Sequence, residues 1–216
     1  MVRSTLSVSG LWNEAATCFE QARFFAIKCV QRKREHMFKK LIFAIVSGFF
    51  LTSLLGCTGV PENVTPVDEF ELPRYLGKWY EIARYDHSFE EGLSEVTATY
   101  SMRDDGGVKV INRGFSKQEN AWDEAEGKAY FVDTSSIGHL KVSFFGPFYA
   151  SYVIMELDKE GYQYALITGP DKDYLWILAR TPSIDDDVRS QLLDTASAAG
   201  YDVNKLIWVE HEKNNP

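Results

Sequence analysis

Beyond position 57 the 216-residue chain has no cysteine; Cys18, Cys29 and Cys57 all fall near its start. The body of the protein therefore holds no disulfide and no thiolate metal site. Histidine is scarce there too, with His87, His139 and His211 on separate segments and in no metal-ligand spacing. A Gly-x-Ser-x-Gly elbow and a glycine-rich phosphate loop are also missing. Paired carboxylates such as Glu90-Glu91 and Asp185–Asp187 read as loop and helix-start charge. The expectation is a protein with no catalytic residue, no metal and no cofactor.

Positive charge is short in the body as well. Residues 1–56 carry 8 Lys/Arg against 3 Asp/Glu, whereas residues 57–216 carry 15 against 28, a net of -13 within a whole-chain charge of -8. Phosphates would be repelled by that field, which argues against a nucleic-acid partner.

No apolar run reaches the roughly 20 residues that span a bilayer. The longest, Leu41 to Leu55, has 15 residues; it follows Met37 and Lys39-Lys40 and ends in Leu54-Leu55-Gly56-Cys57. A basic start, a short apolar stretch and a small residue before the cut describe an export signal. Its end resembles the lipobox of bacterial lipoproteins. That resemblance implies cleavage before Cys57, acylation of the Cys57 thiol and, with Thr58 rather than Asp next, an outer-membrane address. Four segments follow from this reading. Residues 1–36 read as an upstream extension from a start placed too early or, alternatively, as a long basic n-region that Arg32-Lys33-Arg34 would tolerate; 37–56 read as the signal peptide, 57–69 as the acylated cysteine and a proline-bearing tether, and 70–212 as the folded domain.

What the chain has in quantity is aromatic residues, 14 Phe, 11 Tyr and 5 Trp, which suit pleated half-buried strands and a greasy cavity. Apolar-aromatic runs at Trp79–Tyr85, Val96–Met102, Val108–Phe115, Glu124–Val132, His139–Phe145, Ser151–Leu157, Tyr162–Thr168 and Tyr174–Arg180 predict strands. Between them stand turn signals such as Asp104-Asp105-Gly106-Gly107 and Lys159-Glu160-Gly161. No connection is long enough for a helix, so neighbours pair antiparallel in an all-β barrel or sandwich. Thr181 as N-cap with Pro182 at the first position predicts a helix, with an apolar stripe through Ile184, Val188, Leu192, Ala196 and Ala199 and a stop at Gly200. Leu206–Val209 predicts a short closing strand.

Gly77-Lys78-Trp79-Tyr80 resembles the Gly-x-Trp signature of lipocalins. Asp158 alone matches that family's second segment, and Arg180 matches its third. The longer runs Tyr75–Arg84 and Tyr174–Arg180 resemble the bacterial lipocalins and their apolipoprotein D-like relatives. The resemblance implies an eight-stranded antiparallel up-and-down β-barrel with one C-terminal α-helix packed outside. It also implies a cavity for a fatty acid or lysophospholipid, a lipid-anchored place on the outer membrane facing the periplasm, and storage or transport in envelope maintenance under stress. Two alternatives stand beside it: a structural stress lipoprotein whose cavity is incidental, and a lipid-modifying enzyme on the same barrel.

Gly77, Trp79, Asp158 and Arg180 read as architecture. An Arg180 guanidinium over the Trp79 indole at the closed end would contribute about 0.5–2 kcal/mol as a cation–π contact. Alternation from Arg180 puts Leu178, Trp176 and Tyr174 inside, and alternation from Trp79 adds Glu81 and Ala83. Likeness to apolipoprotein D suggests Tyr100 and Asn112 as cavity residues, which brings Ala98, Val110 and Gly114 to that face. Leu140, Val142 and Phe144 form the apolar phase of their strand. The candidate ligand-binding set is Tyr100, Asn112, Phe144, Trp176, Ala83, Gly114, Val142 and Tyr174, with Ala83, Ala98, Gly114 and Ala129 leaving volume free. Loops 86–95, 116–123, 145–150 and 169–173 should ring the open end. Phe89, Leu93 and Phe145-Gly146-Pro147-Phe148-Tyr149 there could meet a membrane, meet a second copy as a homodimer, or fold over the mouth.

Overall fold

The computed structural model describes residues 58–212. The segments predicted as extension and signal, and the lipidation site Cys57, lie outside the described residues.

Each turn signal reverses the chain, and the strands between them pair in sequence. They are β1 (Gly77–Arg84), β2 (Leu93–Met102), β3 (Val108–Ser116), β4 (Ala121–Phe131), β5 (His139–Ser143), β6 (Ala150–Leu157), β7 (Tyr164–Thr168), β8 (Leu175–Ala179) and the two-residue β9 (Ile207–Trp208). Every neighbour is antiparallel, and β1 pairs with both β8 and β2, which closes an eight-stranded barrel. Closure removes the sheet edges that an open sheet of this length would leave exposed. Gly106, at φ 81, supplies the left-handed residue of the β2–β3 turn.

Three register shifts bend the wall: between Glu81 and Ala83 on β1, between Ser94 and Thr97 on β2, and between Ile154 and Glu156 on β6. Such bulges re-aim every side chain beyond them.

The strands separate two cores. Trp79, Tyr100, Val110, Leu140, Ile167 and Leu178 lie within the barrel. Ile82, Leu166, Leu175 and Ile177 face outward and pack beneath a helix, α2 (Asp186–Ala198), through its Leu192 and Ala196. A one-turn helix, α1 (Leu72–Tyr75), precedes β1. The start of α2 corrects the sequence expectation. Its N-cap is Asp185, not Thr181, because Thr181 turns the chain by donating its hydroxyl to the Ser183 carbonyl, and Asp186 and Asp187 set negative charge on the first turn instead. Proline at 182 suits that turn as well as it would a helix start. Gly200, at φ 88, ends the helix, with Tyr201 N–H donating to the Ala196 carbonyl.

β9 pairs with β1 at Ala83 and Arg84, beyond the stretch where β2 pairs with Gly77–Tyr80. The tail then continues into the gap, with Glu95 N–H donating to the Glu210 carbonyl. At the other terminus residues 58–71 run along the β5–β6 wall. Ser151 donates to the Gly59 carbonyl at 2.7 Å, Val67 N–H donates to Ile154, and Phe70 ends buried in the inner core. Among the described residues no helix is long and apolar enough to cross a membrane.

Candidate functional site

Topology gives the barrel a closed end and an open one. At the closed end the Trp79 indole N–H donates to the Tyr75 carbonyl at 2.7 Å, and the Arg180 guanidinium stands 4.0 Å over the indole ring. Arg180 also donates to the carbonyls of Tyr162, Lys78, Arg74 and Leu76. Gly77, at φ 94, lets the chain turn beneath that guanidinium. The Asp158 carboxylate accepts from the Gly161 and Gln163 amides and so holds the β6–β7 turn. These four residues build the floor and its supports.

Above the floor three tyrosines converge. The Tyr152 hydroxyl lies 2.7 Å from that of Tyr75 and 2.9 Å from that of Tyr100. Burial pushes the Tyr75, Tyr100 and Tyr152 hydroxyls upward, so all three stay protonated. Three O–H donors share two hydrogen bonds, which leaves a donor to spare on the floor.

Higher on the wall Asn112 sits opposite Ala98, and its side-chain oxygen is buried without a hydrogen-bond partner. A buried amide oxygen normally has one. Val110 faces Gly127 across β3 and β4. The Phe144 ring occupies the place where a side chain at 127 would begin, about 2.9 Å from an ideal Cβ there. Phe144, Val142 and Trp176 pack against the inner core while only partly buried.

The mouth is polar. Glu81 and Arg84 form an ion pair at 2.7 Å, both almost fully buried. Arg84 also donates to the carbonyls of Glu90 and Leu93, while the Trp176 indole N–H donates to the Glu90 carboxylate at 3.2 Å. His87 stacks on Tyr174 at 4.5 Å and on Phe89 at 5.2 Å, and its Nε2 has no partner. Burial, then the neighbouring Glu90 charge, raise the Glu81 carboxyl to about 8 against the opposing pull of Arg84. Burial raises Glu90 as well, opposed by the Trp176 hydrogen bond and by Arg84. The two carboxyls thus face one guanidinium and hold a proton between them near neutral pH.

Of the predicted cavity residues, the structure brings Tyr100, Asn112, Val142, Phe144 and Trp176 to the interior and Tyr174 to the mouth. Ala83 is a correction. It lies in the outer core beneath α2, because the shift between Glu81 and Ala83 reverses the alternation and turns Arg84 inward in its place. Gly114 keeps its inward phase, but Leu93 and Val96 fill the space above it, so it leaves no free volume. The sequence reading missed Arg84, Glu90, Tyr152 and Gly127. Only Gly127 carried a local signal, a glycine inside an otherwise regular strand. Among the described residues no cluster of three or more His, Cys, Asp or Glu is placed to hold a metal.

Comparisons with known proteins agree with this geometry. A family model described as a lipocalin-like domain matches residues 70–211. The chain is 53% identical over 173 residues to the outer membrane lipoprotein Blc of Vibrio cholerae, covering 80% of this chain and 99% of that one. Against Blc of Escherichia coli the identity is 52% over 169 residues, covering 78% and 95%. Mouse apolipoprotein D is 32% identical over 181 residues, covering 77% and 91%. Among solved structures, insecticyanin of the tobacco hornworm Manduca sexta superposes with a TM-score of 0.59 at 23% identity, covering 72% and 88%, a likeness of fold.

Proposed function

The chain belongs to the lipocalin family, as a bacterial outer-membrane lipoprotein that binds rather than catalyses, and from that premise we propose that its barrel holds one fatty acid or lysophospholipid for storage or transport in envelope upkeep. The acyl chain lies along Val142, Phe144 and Leu140, and the polar end meets Asn112 and the Trp176–Glu90 edge of the mouth. The observation that carries this reading is the Asn112 side-chain oxygen, buried in an apolar wall without a partner. A buried amide oxygen costs about 1–3 kcal/mol when unpaired, and a ligand donor would recover that. The mouth supports a headgroup with donors, because a nearly neutral cluster of two carboxyls and one guanidinium repels neither a zwitterion nor a protonated acid.

The test is native mass spectrometry of the mature protein incubated with lysophospholipid and with fatty acid. One-to-one adducts, weakened in Asn112→Ala and Trp176→Ala, are expected. Absence of adducts with either lipid would transfer the case to a structural envelope lipoprotein with an incidental cavity.

A further inference from the structure

Tyr75, Tyr100 and Tyr152 come from three separate elements: the end of α1, β2 and β6. Four strand steps separate β2 from β6 by either route around the barrel, so the two form opposite walls. The 2.9 Å contact between the Tyr100 and Tyr152 hydroxyls therefore crosses the bore, and the Tyr75 hydroxyl joins it from the floor at 2.7 Å. Ring packing fixes the arrangement, with Tyr75 at 5.4 Å from Tyr100 and 4.6 Å from Trp79. The shaft thus ends on a bridge of phenol oxygens set among apolar side chains, Val110, Leu140, Ile154 and Leu178 in the same inner core.

Such an end does not suit a methyl group. Two hydrogen bonds use two of the three O–H donors and leave the third to spare. A saturated chain that reached the bridge would cover this donor with carbon, whereas an oxygen at the chain's end would accept it. The charge of that oxygen is restricted as well. Burial pushes all three phenols up and keeps them neutral, and the same burial penalises an anion placed among them. The cation that acts on Tyr75 and Tyr100 is Arg180, which lies on the Trp79 ring and donates to four carbonyls. Glu81 and Glu90 act on Tyr100 with the sign that repels an anion. A hydroxyl, keto or epoxide oxygen fits where a carboxylate does not.

Position along the ligand follows from the strands. Gly77 of β1 is level with Tyr100, and Arg84 of β1 is level with Trp176. About 23 Å of strand separates these two levels. A head group at the mouth thus brings only the far end of its chain to the tyrosines.

We propose that the phenol bridge is a second polar subsite, one that selects acyl chains carrying a neutral oxygen at or near the end remote from the head. Hydroxy, keto or epoxy chains are preferred there over saturated ones. The selection rests on the lipid-carrier reading and adds to it the class of chain. An apolar cavity separates chains that differ by one small group only weakly, while a buried donor that the wrong chain leaves unpaired separates them further.

Competition native mass spectrometry of the mature protein with palmitic, α-hydroxypalmitic and ω-hydroxypalmitic acids tests it. The parent is expected to bind ω-hydroxypalmitic acid at least as tightly as palmitic acid, although the extra hydroxyl must leave water. Tyr75→Phe/Tyr100→Phe/Tyr152→Phe keeps the three rings and removes every donor; single replacements would each still leave an O–H to spare. In that variant ω-hydroxypalmitic acid should weaken about five- to tenfold against palmitic acid, with α-hydroxypalmitic acid unmoved. Binding of palmitic acid shows that the variant has folded. Tyr100→Phe/Tyr152→Phe, which keeps Tyr75 in the floor, should lose part of the same preference. An unchanged ratio of ω-hydroxypalmitic to palmitic acid in parent and variants would overturn the subsite alone. So would an equal loss of all three acids, which would put the carboxyl head on the bridge. No adduct of any acid with the parent protein would refute the carrier reading, and the subsite with it.

Discussion

Glu81 and Arg84 stand three residues apart on one strand yet meet inside the barrel at 2.7 Å. In a regular strand residues i and i+3 point to opposite faces. The bulge between them puts both on the inner one, and it thereby builds the polar mouth above an apolar shaft.

That pair gives the first prediction. Arg84→Met leaves Glu81 and Glu90 buried without their cation, a loss of about 3–5 kcal/mol. Glu81→Gln combined with Arg84→Met should recover most of it. Urea denaturation of the three proteins measures the difference; an unchanged midpoint for Arg84→Met would show that the cluster is solvated after all.

The second concerns pH. The Glu81 carboxyl is raised in the folded state to about 8, above its unfolded value of about 4.3. A raised carboxyl contributes stability that is full below the unfolded value and is lost as pH rises through the folded one. Thermal stability should therefore fall from mildly acid to mildly alkaline pH, and Glu81→Gln should flatten the profile. Glu90→Gln removes the neighbouring charge and should lower the Glu81 midpoint. Carboxyl-carbon NMR reads that midpoint directly, and a wild-type Glu81 titrating in the ordinary carboxylate range would refute the shared proton.

At the closed end Arg180 makes four carbonyl hydrogen bonds and covers Trp79. A lysine has one point charge and no planar fork, so Arg180→Lys should lose most of what Arg180→Ala loses, roughly 2–4 kcal/mol. A lysine variant as stable as the parent would mean that charge alone is sufficient there.

Gly127→Ala places a methyl group about 2.9 Å from the Phe144 ring. Overpacking of this kind costs about 1–3 kcal/mol. Phe144→Leu in the same chain should relieve it, so the double variant should melt above Gly127→Ala alone. Additive losses in the double variant would place the strain elsewhere.

Asn112 separates binding from folding. Asn112→Leu removes a buried oxygen that has no partner, and a buried polar group replaced by an apolar one of similar shape is close to neutral or stabilising. The variant should melt at or above the parent temperature while lipid adducts weaken. A clear drop in melting temperature would make Asn112 a structural residue instead.

Much of this was legible in the amino-acid sequence, for reasons that lie close along the chain. Turn residues break the apolar runs, as Gly106 does where the backbone takes a positive φ, so the eight barrel strands and their antiparallel order follow from local chemistry. Trp79 and Arg180 could be paired because their segments resemble the lipocalin signatures, and the structure sets the guanidinium over the indole. The apolar stripe of α2 was equally plain, since helical period is a property of one segment.

Tertiary structure decided the rest. Alternation carries inward phase along a strand only until a bulge, and nothing in Glu81-Ile82-Ala83-Arg84 announces one; it shows only in the pairing of β1 with β8, where the shift sends Ala83 outward and Arg84 in. Glu90, a loop charge in the sequence, becomes a mouth residue because Arg84 and Trp176 reach it from two other elements. Leu93 and Val96 cover Gly114, and Phe144 covers Gly127, through contacts between strands. Local composition sets which face a residue prefers, but the occupancy of the space in front of that face depends on atoms distant in the chain, and only folding brings those together.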